Sequence, residues 1–164
     1  WQMGTVQVDF QLPLRFNLSY IDSNGDKKSP ILIHRALFGS FERFIGIITE
    51  HYAGAFPLWL SPVQVKILPI AEAHREYAQK VLAKMEEVGI RVEIDERNEK
   101  IGYKIREAQL EKVPYMIVIG DKEVENGTVT VRSRNLGDLG SFEINDVILK
   151  IKKENSERTI EIKK

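Results

Sequence analysis

Residues 115–120, YMIVIG, are an almost unbroken apolar run. A run that short, without polar residues at alternate positions, suits a strand covered on both faces, the place of a central strand in a parallel sheet. The flanking sequence agrees. VQVKILPI (63–70) and IRVEID (90–95) are strand-like. EAHREYAQKVLAKMEEVG (72–89) repeats at helical spacing, with Tyr77, Val81, Met85 and Val88 inward and Gly89 at its end. EKIGYKIREAQLEKVP (99–114) reads as a second helix, stopped by Pro114. The order strand, helix, strand, helix, strand predicts three parallel strands joined by right-handed crossovers. DKEVENG (121–127) reads as a connector with an Asn-Gly turn. It leads into TVTVRSR (128–134), an antiparallel edge strand with Thr128, Thr130, Arg132 and Arg134 on one face. Residues 135–144 read as a loop with at most a short strand, and NDVILKIKKENSE (145–157) as a helix capped by Asn145. Residues 158–164 read as a charged, frayed end. The fold class is α/β, a mixed and mainly parallel sheet flanked by helices.

The first 54 residues follow a different pattern. WQMGTVQVDF (1–10) alternates as a strand, residues 12–30 suit a hairpin around Ser23-Asn24-Gly25-Asp26, and PILIHRA (30–36) is a second strand with Leu32, His34 and Ala36 on one face. GSFERFIGIITEHYAG (39–54) is a helix that Ser40 can cap and Gly54 can stop. Two strands and a helix cannot bury their own apolar faces. The chain also opens at Trp1 inside a strand-like run, so this segment is expected to be a piece of a larger domain or to need a partner. The proline-rich AFPLWLSP (55–62) marks a boundary, giving an N-terminal segment over 1–58 and a second domain over 59–164.

The helix raises a question of its own. Phe41, Phe44, Ile45, Ile48 and Tyr52 form one stripe, which leaves Arg43 opposite, beside Gly46, Ile47 and Glu50. A glycine inside a helix costs ~1 kcal/mol. Next to an arginine it suggests close approach by another backbone or a ligand. The plainer alternative is a solvated Arg43 paired with Glu42 or Glu50.

Composition narrows the function classes. Lys plus Arg and Asp plus Glu each number 24, so the net charge is zero and any affinity for nucleic acid must come from a local patch. There is no cysteine, which excludes disulfides and leaves His and carboxylates as the metal ligands available. No apolar run reaches membrane-spanning length and no signal peptide is present, so the expected compartment is the cytoplasm, with no membrane partner.

WQMGTVQVDF, IHRALFGSFERFIGIITEHYAGAFPLWLSPVQV, DERNEKIGYKIREAQLEKVPYMIVIGDKEVENG and TVTVRSR together resemble the C-terminal part of the threonyl-tRNA synthetases, a family of class II aminoacyl-tRNA synthetases. The likeness runs through essentially the whole chain, and IHRA combined with GSFERFIGI favours the threonyl type over its prolyl, histidyl and glycyl relatives. The resemblance implies an incomplete antiparallel-sheet catalytic segment containing motif 3, followed by an anticodon-binding domain. It implies that Arg43 is the motif 3 arginine, whose guanidinium fork suits the triphosphate of ATP with its Mg2+. Gln2 and Gln7 fall at positions near the bound adenylate and threonine, and Ser40 joins Arg43 on the nucleotide side. The family's zinc ion has one cysteine and two histidine ligands. His34 matches the last of them, and the others belong upstream of Trp1. In the second domain Asn98, Glu123 and Arg132 fall on anticodon-reading positions, with Lys100, Lys104, Arg106 and Lys112 available to phosphates. Asn offers donor and acceptor, Glu accepts from base amino groups, and Arg forks or stacks. The implied partners are tRNA, threonine and, in the full-length enzyme, a second copy of the chain.

Two functions follow, and they differ in class. One is a threonine–tRNA ligase that activates threonine with ATP and transfers it to tRNA, this chain supplying motif 3 and anticodon recognition. The other is a non-catalytic module that binds the anticodon stem-loop or another subunit. A third reading, a small-ligand site beyond the carboxyl ends of the parallel strands, carries little weight because no glycine-rich phosphate loop follows residues 63–70.

Overall fold

The computed structural model describes residues 1–160, so residues 161–164 of the expected frayed end lie outside the described residues. The chain divides into two units, Trp1–His51 and Tyr52–Lys164.

In the first unit, β1 (Thr5–Asp9) pairs antiparallel with β4 (Leu32–Ala36). The strand expected over 1–10 begins only at Thr5. The pairing is regular from there, so Gln2 precedes the strand. A short helix not expected from the sequence, α1 (Gln11–Arg15), follows at once. Its cause is local: the Asp9 carboxylate accepts the backbone N–H groups of Gln11 at 2.8 Å and Leu12 at 3.0 Å, which would otherwise lack partners. The expected hairpin shrinks to β2 (Tyr20–Ile21) and β3 (Lys27–Lys28), with Gly25 at φ +84 in the turn. The helix α2 (Phe41–His51) starts where Ser40 Oγ accepts the Arg43 N–H at 3.2 Å. Only Pro13 is buried among the described residues of this unit.

The second unit carries a five-stranded sheet in the order β6-β5-β7-β8-β9. The strands are β5 (Val65–Pro69), β6 (Val92–Ile94), β7 (Tyr115–Ile119), β8 (Thr128–Ser133) and β9 (Gly137–Glu143). β6, β5 and β7 are parallel, as the alternation of elements predicts, and β8 and β9 continue antiparallel. Every residue of β5 and all but one of β7 are buried, the mark of central strands. The helices are α3 (Arg75–Glu87), α4 (Ile101–Leu110), α5 (Asp121–Asn126) and α6 (Ile144–Glu157). On one face Ile67, Ile117 and Val131 pack with Val81 and Met85 of α3 and Ile151 of α6. On the other, Leu68 and Met116 pack with Ala108 of α4. Among the described residues no helix is long and apolar enough to cross a membrane.

Four local readings change. The helix ahead of Pro114 ends at Leu110, and Lys112 adopts φ +60 before the proline is reached. Residues 121–127 are not a hairpin turn: Asp121–Asn126 is helical and Gly127, at φ +68, closes that helix in the left-handed conformation. Residues expected as loop form the full strand β9, whose Gly137 and Gly140 at positive φ hide its pattern. Glu143, not Asn145, occupies the cap position of α6.

Candidate functional site

The parallel strands end together at one edge of the sheet, and the loops leaving that edge carry several charged groups with a structural partner. After β6, the nearly buried Asp95 carboxylate receives a guanidinium fork from Arg97, Nε at 2.9 Å and Nη2 at 2.6 Å. That guanidinium holds the Asp95 carboxyl below the usual carboxylate range, against the opposing effect of burial. From the other side, the buried Lys104 ammonium of α4 donates to the carbonyls of Pro69 and Asp95, each at 3.0 Å. Burial pushes the Lys104 ammonium below its ordinary pKa. The loop carrying Asn98 is therefore anchored where it leaves β6, while Asn98 itself is exposed. Lys104 cannot hold a phosphate, because its charge faces two strand-end carbonyls inside the protein. Lys100 and Arg106 are exposed, whereas Lys112 donates to the Ala53 carbonyl.

After β7, Glu123 sits in the first turn of α5. Its Oε2 accepts the Gly120 N–H at 2.8 Å and its Oε1 accepts the Thr130 hydroxyl at 2.7 Å. Burial raises the Glu123 pKa, but the hydrogen bonds from Thr130 and Gly120 outweigh it and leave the carboxyl below its ordinary value. β8 alternates strictly, so Val129 and Val131 enter the core while Thr128, Thr130 and Arg132 turn to the other face. Arg132 stands opposite Met116, on the face that α4 covers farther along the sheet. Its Nη1 donates to Asp138 at 3.0 Å, and its Nε has no partner among the described residues. Ser141 of β9 donates to Thr128 at 3.0 Å on the same face. The result is a polar surface with fixed donors and acceptors rather than a basic patch. Arg134, expected on that face, lies past the end of β8 and donates to the carbonyls of Lys112 and Phe56 instead.

In the first unit the β1–β4 register sets Gln7 directly opposite His34. His34 Nε2 lies 3.4 Å from Asp9 Oδ2. The Asp9 carboxyl is held below its usual range, mainly by the N–H groups of Leu12 and Gln11 and to a lesser degree by His34. Arg43 is exposed in the first turn of α2. A methyl group at Gly46 would meet nothing within 4 Å among the described residues, so the space beside that glycine is open there. Ile47, expected on the Arg43 side, is half-buried together with Phe44 and Ile48, while Phe41 and Ile45 are the exposed members of the stripe. No three metal-ligating side chains come together among the described residues, so His34 offers a single ligand and this chain does not fit a zinc ion unaided.

A family model described as "Anticodon binding domain" matches residues 64–154. The chain belongs to that family. Ahead of this anticodon-binding domain, a model of the "tRNA synthetase class II core domain (G, H, P, S and T)" matches residues 1–52. The chain is 62% identical, over 94% of its length, to a threonine–tRNA ligase of Caldanaerobacter subterraneus subsp. tengcongensis. It is 66% identical over 92% of its length to one of Acetivibrio thermocellus. It spans 24% of each of these relatives, about a quarter. The crystal structure of the RNA binding domain of threonyl-tRNA synthetase from Cryptosporidium parvum matches it with a TM-score of 0.80 and 41% identity, over 93% of this chain and 39% of that one.

Within the anticodon-binding domain, Glu123 and Arg132 are both tied to β8, Glu123 through Thr130. Asn98 leaves the same edge of the sheet as Glu123, in the loop after β6. Sequence reasoning placed Thr130 on the right face but gave it no role. It also missed the Asp95–Arg97–Lys104 clamp, whose only sequence trace is an acid and an arginine two residues apart after a strand.

Proposed function

We propose that this chain is the motif 3 and anticodon-reading part of a threonine–tRNA ligase, with residues 1–58 serving the catalytic segment and 59–164 the anticodon-binding domain. The observation that carries the reading is the two family matches in tandem, joined to high identity with threonine–tRNA ligases. The whole enzyme activates threonine with ATP and Mg2+ and transfers it to tRNA, acting as a cytoplasmic homodimer. Arg43 forks onto phosphate oxygens and steadies the charge that leaves with pyrophosphate. Ser40 holds the helix start that aims Arg43, and Gln7 and Gln2 line the adenylate and threonine side. His34 completes a zinc site whose other ligands lie outside these residues. Asn98, Glu123 and Arg132 read the edges of splayed anticodon bases, the usual route to sequence in RNA loops.

The test is a fluorescence titration of this chain with an anticodon stem-loop RNA. Asn98→Ala and Arg132→Ala are each expected to weaken binding by about tenfold and to relax discrimination against a changed anticodon base. Unchanged discrimination in both would overturn the assignment. A second reading, binding without chemistry by this chain alone, is favoured by the single metal ligand and the exposed Arg43. ATP–pyrophosphate exchange with threonine separates the two: exchange in this chain by itself would sink the second.

A further inference from the structure

The short helix α5 poses a problem. It is six residues long and has no buried residue of its own. A helix of this length does not hold its place by intrinsic stability. Yet it carries Glu123, whose two oxygens are directed at Gly120 and Thr130. Those bonds hold the turn at Glu123, and a second bridge holds it at its start. That turn opens with Asp121, whose side chain is 91% exposed but whose Oδ1 lies 2.9 Å from Nε2 of His74, a side chain only 6% exposed.

The imidazole is oriented from its other nitrogen. His74 Nδ1 accepts the Ala71 N–H at 3.1 Å, and the His74 N–H donates back to the Ala71 carbonyl at 3.1 Å. An acceptor at Nδ1 assigns the proton to Nε2, so Nε2–H donates to Asp121. The ring thus bridges the turn between β5 and α3 to the start of α5, joining two loops that leave the same sheet edge. We propose that His74 is a positioning residue for anticodon reading: through Asp121 it fixes the first turn of α5 and so the place where the Glu123 carboxylate meets a base. The inference rests on the anticodon-reading role given above to Glu123.

The local geometry supplies a discriminating pair of substitutions. The Ala71–His74 exchange has the form of a capping box, which Gln and Glu both satisfy. His74→Gln keeps the acceptor for Ala71 and still offers an N–H to Asp121. His74→Glu keeps the acceptor but sets a second carboxylate against Asp121. Both preserve the turn, and they differ in the bridge alone. Asp121→Ala removes the bridge from the other side.

The experiment compares the 164-residue chain with these three variants and Glu123→Ala. Each is titrated with an anticodon stem-loop RNA and with three copies carrying one changed anticodon base each, and amide hydrogen exchange of α5 is followed without RNA. His74→Glu and Asp121→Ala are expected to lose about three- to tenfold of discrimination, the worth of one hydrogen bond, at the same base as Glu123→Ala. Their α5 amides should exchange faster, and His74→Gln should match the parent in both respects. Unaltered α5 exchange and discrimination in His74→Glu and Asp121→Ala, with Glu123→Ala still effective, would overturn the bridge alone. If Glu123→Ala changes discrimination at no base, the reading of Glu123 fails and the proposal falls with it. Equal behaviour of His74→Gln and His74→Glu would likewise overturn the proposal.

Discussion

The strand β1 in the first unit alternates apolar and polar residues and the strand β7 in the second is apolar throughout, and the apolar side chains of the two meet opposite fates. Val6 and Val8 of β1 are more than half exposed, whereas Ile117 and Ile119 of β7 are fully buried. The difference lies in their neighbours. β7 has a strand on each side and helices on both faces. β1 has β4 alone. Burial of apolar area is what stabilises a strand, at roughly 25 cal/mol per Å2, so an apolar side chain of β1 contributes far less than one of β7. The anticodon-binding domain closes its own core, while among its own described residues the class II core segment buries only Pro13.

The largest test of that contrast is a matched pair of truncations. Ile117→Ala should destabilise the second unit by about 3–4 kcal/mol, the ordinary cost of a cavity at a buried isoleucine. Val8→Ala should cost less than about 0.5 kcal/mol, as at other exposed positions. Urea unfolding followed by hydrogen exchange in each unit reads both, and equal costs would break the comparison. Next in size is Lys104→Ala. It strips the Pro69 and Asp95 carbonyls of their buried donor and should cost about 1–3 kcal/mol in the same measurement. A cost near zero would mean the ammonium is not anchoring the strand ends.

Acid sharpens the contrast further. Asp95 and Glu123 both have folded-state pKa values below their ordinary ones. A depressed carboxylate contributes stability that is present above its unfolded pKa and lost as pH falls through its folded one. The urea midpoint of the second unit should therefore hold from pH 7 down to about 4–5 and fall below that. Asp95→Asn should start lower at pH 7 and show a shallower fall. The smallest effect belongs to the first unit: Ser40→Ala removes the acceptor of the Arg43 N–H and should cost α2 about 1 kcal/mol, seen as faster exchange of that amide.

Much of the second unit was legible in advance. Two periods, two for strands and 3.6 for helices, are written along residues 63–120, and the parallel order follows from crossovers between them. The elements that were misread are short or rich in special backbone. α5 depends on the Gly120–Glu123 exchange and on contacts with residues far along the chain, and β9 carries two left-handed glycines and faces a bulge. Neither presents a period to read. Of the candidate site, Glu123 and Arg132 came from resemblance. Thr130 was visible only as a strand position, and His74 is separated from Asp121 by 47 residues.

By itself the sequence determined the alternating strands and helices of residues 63–120, the apolar side chains that enter the core there, and that residues 1–54 lack a cover of their own. Those outcomes depend on periodicity and area, which are properties of neighbouring residues. The tertiary structure alone decided which charges meet water. Lys104 and Arg106 share one helix, but the Lys104 ammonium ends against carbonyls supplied from 9 and 35 residues away, while Arg106 stays exposed. An ion is buried only where partners converge on it, and that convergence exists only once the strands are side by side.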